Sequence, residues 1–480
     1  MKYLYTFILL VCFYKPYIIG QLSKIPTFQI SENEGIYCTI DKSWLEPTVQ
    51  AIQDRLDLHK YGHQLNRTLL YETLEKITTN DLSYTLYSPI NSSSQMKPLV
   101  IFAHGGAFVT GSRKSKAIKF LAEELAKRGF VTASIEYRLS LLRTWDLLEA
   151  GYVGMQDGNA AIKYFKSNAQ KLGIDTSRIF IAGISAGGTI ALHSGHVDRK
   201  DTNQTSFQGL DDKYGCYNCT GGHFNFTTKV KGVINIVGGT SEPKILDTNI
   251  PTLHIYCDQD SVLPSNRGVP LHHAGALGGG IIKNIISNLL PFLKRPEVFG
   301  PDYFKNDLKI TSHDYIEMSS LMNDACSHSV IVADNGIPKN SGIKILEEIY
   351  LWLNKNLVPT FNNTASSPSL AINSWSRYKI LSRAQDKIER INTNDNGLLY
   401  KIIDNHNVDF FTKKHGNYNV EITAINDLGL KTSQKLTINS TGTTAKENKK
   451  MSNNQTNNTI VFILILISIF SIFILKFKNK

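Results

Sequence analysis

Residues 179–195 read IFIAGISAGGTIALHSG, an apolar run that meets a serine flanked by glycines and continues in small and apolar residues. Gly183, Ser185 and Gly187 form the pattern GxSxG. A strand over Arg178 to Ala182 that turns at once into a helix through Thr189 to His193 would force the serine into a tight turn with its hydroxyl clear of the backbone. The pattern alone also fits a glycine-rich turn, so the rest of the chain has to supply the chemistry. A serine hydroxyl is a poor nucleophile at neutral pH. It needs a histidine base, an acid to orient that base, and donors for a developing oxyanion.

In a parallel sheet with its serine on such a turn, acid and base are expected later in the chain, each in a loop after a subsequent strand. PTLHIYCDQDSVLP runs a buried strand into Asp258 and Asp260, and DACSHSV puts His328 in a loop ahead of the last helix. Asp260 is the preferred acid and Asp258 the fallback. His328 is preferred over His272, His273 and His313 because it alone sits between the expected last strand and last helix. The oxyanion donors are expected from the turn HGGAF, at Gly106 and Ala107, and from Ala186 after the serine. His104 reads as structural, and Asp157 as a helix cap.

These groups need a scaffold, and the elements from about residue 98 provide one. PLVIFAHGG is a buried strand, and RKSKAIKFLAEELAKRG places Ile118, Leu121, Ala122 and Leu125 on one helical face. FVTASIEY, NAAIKYFKSNAQKLG, RIFIAG, VKGVINIVGG and PTLHIYC continue the sequence of strands and helices, and GIKILEEIYLWLNKNL closes it near Leu357. Alternating strands and helices imply an α/β fold with a mostly parallel sheet covered on both faces.

HGGAF, the GxSxG, IEYR after the next strand, and DQDSVLP together resemble the α/β-hydrolase superfamily, in its carboxylesterase and lipase-like branch with an HGG oxyanion motif. The resemblance covers about residues 35–357. It implies an eight-stranded sheet, ester hydrolysis through an acyl-enzyme on a small-molecule or lipid ester, and neither metal nor cofactor. HGGAF lacks a third glycine, and the segment from Ser261 to His313 is longer than a usual connection. Within that segment GALGGGIIKNIISNLLPFL is expected to form a mobile cap, or a helix packed on the core.

The ends of the chain add an address. Residues 1–20 read as a secretory signal peptide, with an apolar stretch from Leu4 to Phe13 too short to span a bilayer. Residues 459–475 read as a transmembrane helix and 476–480, with three lysines, as a cytoplasmic tail; a removable lipid-anchor signal is the competing reading. Together they describe a single-pass type I protein of the cell surface or endomembranes. Of the net charge of +11, five lysines lie in these end segments, leaving 11 − 5 = +6 spread without a basic block. Nucleic-acid binding therefore has little support. Asn66, Asn91, Asn203, Asn218, Asn225, Asn362 and Asn439 head glycan sequons expected to lie outside strands, as do Asn454 and Asn457.

The hydrolase domain is expected over residues 21–357, a linker over 358–371, an all-β domain over 372–440 and a polar stalk over 441–458. GNYNVEITAINDLG puts Tyr418, Val420, Ile422 and Ala424 on one side of a strand. It resembles the penultimate strand of PKD-type and other immunoglobulin-like sandwiches, and such a domain could contact carbohydrate or protein. After the signal, the cysteines are Cys38, Cys216, Cys219, Cys257 and Cys326. A local Cys216–Cys219 bridge and a Cys257–Cys326 bridge between the acid and base loops are expected, with Cys38 left over. Two other readings compete with an ester hydrolase: an adhesion or receptor ectodomain on an inactive hydrolase fold, and a serine peptidase of the prolyl-oligopeptidase type. The latter needs a propeller that the stretch before the first strong strand cannot hold.

Overall fold

The computed structural model describes residues 27–40, 81–92, 96–198, 200–271, 293–322, 326, 328, 331, 339–362, 369–383, 386–393 and 395–441. The chain divides into two compact units, Met1–Asn356 and Leu357–Lys480.

The first unit is built on β1 (Ile30–Thr39), β2 (Asp81–Pro89), β3 (Lys97–Ala103), β4 (Val131–Ile135), β5 (Ile174–Ile184), β6 (Gly232–Ile236) and β7 (Thr252–Tyr256), with β8 (Arg267–Gly268) and β9 (Val298–Phe299) forming a separate two-stranded ribbon, and β10 (Asp314–Glu317). The large sheet has eight strands in the order β1-β2-β4-β3-β5-β6-β7-β10. The β1/β2 and β2/β4 pairs are antiparallel and all later pairs parallel. Strands β3 to β7 read as apolar runs because the sheet is covered on both faces: Val100, Ile101, Phe102, Ile181, Ala182, Val233 and Ile234 are completely buried.

Helix α1 (Lys116–Ala126) buries Ile118, Leu121, Ala122 and Leu125, the expected stripe. Helix α2 (Leu147–Ser167) starts well before the segment that periodicity marks. Its N-cap is Asp146, whose side chain accepts the Leu148 amide. This corrects the reading of Asp157 as a cap. Asp157 lies inside α2, fully buried, where it accepts the Arg138 backbone N–H at 2.7 Å and pairs with the guanidinium. Helix α3 (Ala186–His196) follows the serine, and α4 (Asn340–Leu357) ends the series.

The second unit places β11 (Ser369–Ala371), β13 (Lys387–Thr393), β16 (Gly416–Ile425) and β17 (Lys431–Thr441) in a four-stranded sheet, and β12 (Ser376–Lys379), β14 (Leu398–Ile402) and β15 (Asn407–Thr412) in a three-stranded one. Leu370, Ile391, Phe410, Val420, Ile422 and Ile438 share one core, giving a sandwich-like arrangement. In β16, Tyr418, Val420, Ile422 and Ala424 all face inward. The Tyr418 hydroxyl donates to the Lys414 carbonyl and accepts from Thr412.

One expectation about the sequons needs correction. Asn439 lies inside β17, in register with Asn417 on one side and Ser369 on the other. Asn91, Asn203 and Asn225 are exposed, and Asn218 and Asn362 half-buried. Asn66 and the segments expected as signal peptide, cap, stalk and membrane helix lie outside the described residues, save for the cap's last residue, Leu293. Among the described residues no helix is long and apolar enough to cross a membrane.

Candidate active site

Strand β5 ends at Ile184 and α3 begins at Ala186, which leaves Ser185 alone in the turn at φ +56° and ψ −120°. That is a costly conformation for a residue with a side chain, and the surroundings enforce it. The Ser185 amide donates to the Ile236 carbonyl of β6 at 2.8 Å. A Cβ on Gly183 would sit 2.0 Å from the Gly187 carbonyl oxygen, and one on Gly187 would sit 2.1 Å from that of Ala103. Only glycine lets α3 start this close to β3 and β5.

His328 Nε2 lies 2.7 Å from Ser185 Oγ, and its Nδ1 lies 2.7 Å from Asp260 Oδ2. Asp260 is held in turn by the amides of Val262 and Leu263, which donate to Oδ1 at 2.8 and 3.0 Å. An acceptor-only carboxylate facing Nδ1 assigns the ring proton there and leaves Nε2 to accept from the serine hydroxyl. The Asp260 side chain is 3% exposed and that of His328 14%, so the line is screened from water but open at the histidine. Asp258 is exposed and its carbonyl caps Ser265, away from this line. His313 points elsewhere, its Nδ1 3.1 Å from His254 Nε2; His272 and His273 lie outside the described residues.

The HGGAF turn lies alongside. Gly106, Ala107 and Phe108 all have positive φ (129°, 53° and 58°), and the Gly106 carbonyl accepts the amides of Val109 and Thr110. A Cβ on Gly106 would meet the Thr110 oxygen at 2.0 Å. The amides of Gly106, Ala107 and Ala186 donate to no acceptor among the described residues, and Ala107 and Ala186 border the same cavity as Ser185. The turn is braced from behind by IEYR. The Tyr137 hydroxyl donates to the His104 carbonyl at 2.8 Å while its ring stacks on the buried His104. Glu136 accepts from Ser112 Oγ and the Arg113 amide. Burial works against charge on Glu136, but His104 and Arg113 outweigh it and hold the carboxyl below its ordinary range. The signal for these supports was the position of IEYR at the end of β4, which by itself does not say what they touch.

Cys257 and Cys326 form a disulfide with their α-carbons 5.7 Å apart, and Cys216 and Cys219 form another at 5.3 Å. Cys38 is free and buried, and burial pushes its thiol up to about 12. Among the described residues no group of three or more His, Cys, Asp or Glu is placed to hold a metal ion.

Sequence reasoning missed the cavity itself. From Ser185 it runs along α3 past Thr189 to His193, walled by Phe108, Leu147 and Val262.

A mostly parallel eight-stranded sheet in this order, with a serine turn after β5, Asp260 after β7 and His328 after β10, is the arrangement of the α/β-hydrolase fold. Residues 85–261 match the family model BD-FAE. The chain is 35% identical over 124 residues to human arylacetamide deacetylase-like 2, covering 25% of this chain and 29% of that protein. It is 34% identical over 95 residues to gut esterase 1 of Caenorhabditis elegans, covering 19% and 16%. The chain thus spans less than a third of the length of these curated relatives. A solved truncated carbohydrate esterase from gut microbiota aligns at 19% identity over 57% of this chain and 90% of its own, with a TM-score of 0.38.

Proposed function

We propose that the protein is a serine ester hydrolase that works through an acyl-enzyme. The observation that carries this is the hydrogen-bonded line from Ser185 through His328 to Asp260, ending at a cavity beside three unengaged amides. As Ser185 Oγ bonds to the ester carbonyl carbon, its proton passes to His328 Nε2, and Asp260 stabilises the imidazolium. The carbonyl oxygen becomes an oxyanion that accepts from the amides of Gly106, Ala107 and Ala186. When the carbon–oxygen bond to the alcohol breaks, His328 gives its proton to the leaving alkoxide. Water, activated by the same histidine, then hydrolyses the acyl-serine and restores the hydroxyl.

The enzyme acts outside the cytosol, tethered by its C-terminal apolar run. Support comes from the two ends of the sequence and from paired cysteines, which persist in oxidising compartments. The second unit serves as a contact module for carbohydrate or protein, a role that suits its half-exposed Trp375, whose ring lies 5.2 Å from that of Phe411.

A panel of acyl esters and a fluorophosphonate probe test the activity. Wild-type protein hydrolyses esters and is labelled, while Ser185→Ala loses both and keeps its melting temperature. Undiminished labelling of Ser185→Ala would overturn the assignment. Protease protection of intact cells or vesicles tests the topology: digestion of the bulk of the chain from the cytosolic side would overturn it.

A further inference from the structure

The HGGAF turn is strained, and a side chain outside it holds its entrance. Gly106, Ala107 and Phe108 follow one another at φ +129°, +53° and +58°, and two of the three carry side chains. Such backbone persists only where the surroundings over-determine it. The exit of the turn is held by main chain: the Phe108 carbonyl accepts the Leu141 amide at 3.1 Å, and the Gly106 carbonyl accepts those of Val109 and Thr110. Tyr137 holds the entrance. Its hydroxyl donates to the His104 carbonyl at 2.8 Å, its ring stacks on that of His104 with centroids 4.3 Å apart, and it meets Phe108 edge-on at 6.2 Å. Tyr137 is 3% exposed and His104 is fully buried. Burial, with the charge of Glu136 adding to it, pushes the phenol well above its ordinary range, so the hydroxyl remains a donor at any pH at which the protein would be assayed.

The carbonyl that Tyr137 holds also touches the serine elbow. A Cβ on Gly187 would stand 2.6 Å from the His104 oxygen, and one on Gly105 would stand 3.2 Å from the Ile184 oxygen and 3.3 Å from Ser185 Cβ. The His104–Gly105 peptide is therefore in contact with the phenol and with the turn that carries Ser185. It leads directly into the amides of Gly106 and Ala107, the donors that this turn offers an oxyanion.

We propose that Tyr137 is a positioning residue: by holding the His104 carbonyl, its hydroxyl fixes where the Gly106 and Ala107 amides stand relative to Ser185 Oγ. It touches neither substrate nor the reacting atoms. This rests on the proposed hydrolase reading and adds a residue whose effect falls on the transition state. A ground-state ester carbonyl gains little from these donors, whereas the developing oxyanion depends on them. A loosened turn therefore lowers kcat and leaves KM nearly unchanged. A hydroxyl that merely satisfied a buried carbonyl would behave differently when removed: stability would fall, and the folded protein would turn over at the wild-type rate.

Tyr137→Phe in the full chain keeps both ring contacts and deletes only the donor. Rates are counted per site titrated with the fluorophosphonate probe, so unfolded protein does not enter them. The value of kcat should fall roughly ten- to a hundredfold, as for oxyanion donors that are displaced but not removed, with KM little changed. A trifluoromethyl ketone supplies the second readout. Ser185 Oγ adds to its carbonyl carbon, the serine proton passes to His328, and the ketone oxygen becomes an oxyanion beside the same amides. Its affinity should fall by the same factor as kcat/KM, while the pH profile of kcat/KM keeps its shape because His328 and Asp260 are untouched. Gly105→Ala presses on the same peptide from the elbow side, since a Cβ there is closer than ordinary contact, and should give the same paired loss. It keeps the test decisive if Tyr137→Phe does not fold. Wild-type kcat in either variant, or a lower kcat with unchanged affinity for the ketone, overturns the proposal. Wild-type protein that hydrolyses no ester and takes up no fluorophosphonate sinks the hydrolase reading itself, and the positioning role with it.

Discussion

His328 and Asp260 meet at 2.7 Å although 68 residues separate them, and two and three residues ahead of them Cys326 and Cys257 are joined by a disulfide. The acid loop and the base loop are thus tied twice, once by a charge-assisted hydrogen bond and once covalently. Breaking the covalent tie should loosen the other. A Cys257→Ser, Cys326→Ser double variant frees a loop whose ends are 69 residues apart. It should lose about 4 kcal/mol of stability by chain-entropy reasoning. Its ester hydrolysis should fall by roughly tenfold even below the melting temperature, since a small misplacement of the base is costly. The Cys216→Ser, Cys219→Ser pair should leave the rate unchanged, and denaturation curves with initial rates on both variants check the contrast.

Asp260→Asn keeps the shape of the acid but presents an amide to His328, which removes the reason for Nδ1 to carry the proton. The expected loss in kcat is roughly 10³- to 10⁴-fold, with little change in melting temperature. His313→Gln should do the reverse. It breaks the contact with His254 in the interior and lowers stability while the kcat of the folded fraction stays near wild type.

The elbow tolerates no side chain at Gly187, where a Cβ would stand 2.1 Å from the Ala103 carbonyl oxygen. Gly187→Ala should either fail to accumulate or lose nearly all fluorophosphonate labelling. Gly209 has a positive φ of 80° but open space around it, so Gly209→Ala should cost only about 1 kcal/mol and keep its labelling. Equal stability of the two variants would contradict the packing described at the serine turn.

A buried set of histidines makes the fold acid-sensitive. Burial is the main cause in each case: it lowers His193 to about 4 and His196 to about 3, and puts His254 well below and His313 below the ordinary value of 6.5. His313 adds to the effect on His196 and His254. In the unfolded chain these rings gain protons as pH falls through about 6.5, while the folded chain keeps them neutral. Stability is therefore fully present above 6.5 and is lost as pH falls towards 4 and 3, at about 1.4 kcal/mol per pH unit for each such ring. Urea denaturation at pH 7.5, 6, 5 and 4.5 should show this slope, and His196→Gln should make it shallower. A flat profile between pH 6.5 and 4.5 would mean that the cluster is not buried in its neutral form.

Local patterns made much of this legible in the sequence. The GxSxG turn is spelled out within five residues, because the steric demand of a strand–serine–helix elbow falls on immediate neighbours. Asp260 and His328 could be placed because the carboxyl ends of parallel strands lie along one edge of the sheet. Apolar runs marked β3 to β7, since strands covered on both faces leave little room for polar residues. Strand β1, ISENEGIYCT, gave no such signal, because it is an edge strand with much of its length exposed. Strand β10 is four residues long and only half-buried.

The remaining features depend on partners far apart in the chain. Asp157 looked like a cap because it is a carboxylate near an apparent helix start. It is in fact the buried counterion of Arg138, and only packing of β4's exit against α2 decides that. Asn439 is a sequon by its neighbours and a mid-sheet residue by its two cross-strand partners. His193 is set by separate segments: α3 carries it, and Thr240 Oγ1 lies 2.9 Å from its Nε2. Residue type and spacing define what a group can do chemically. Whether a buried group is left with or without a partner is a property of the packed interior, where elements distant in sequence supply or withhold its hydrogen bonds.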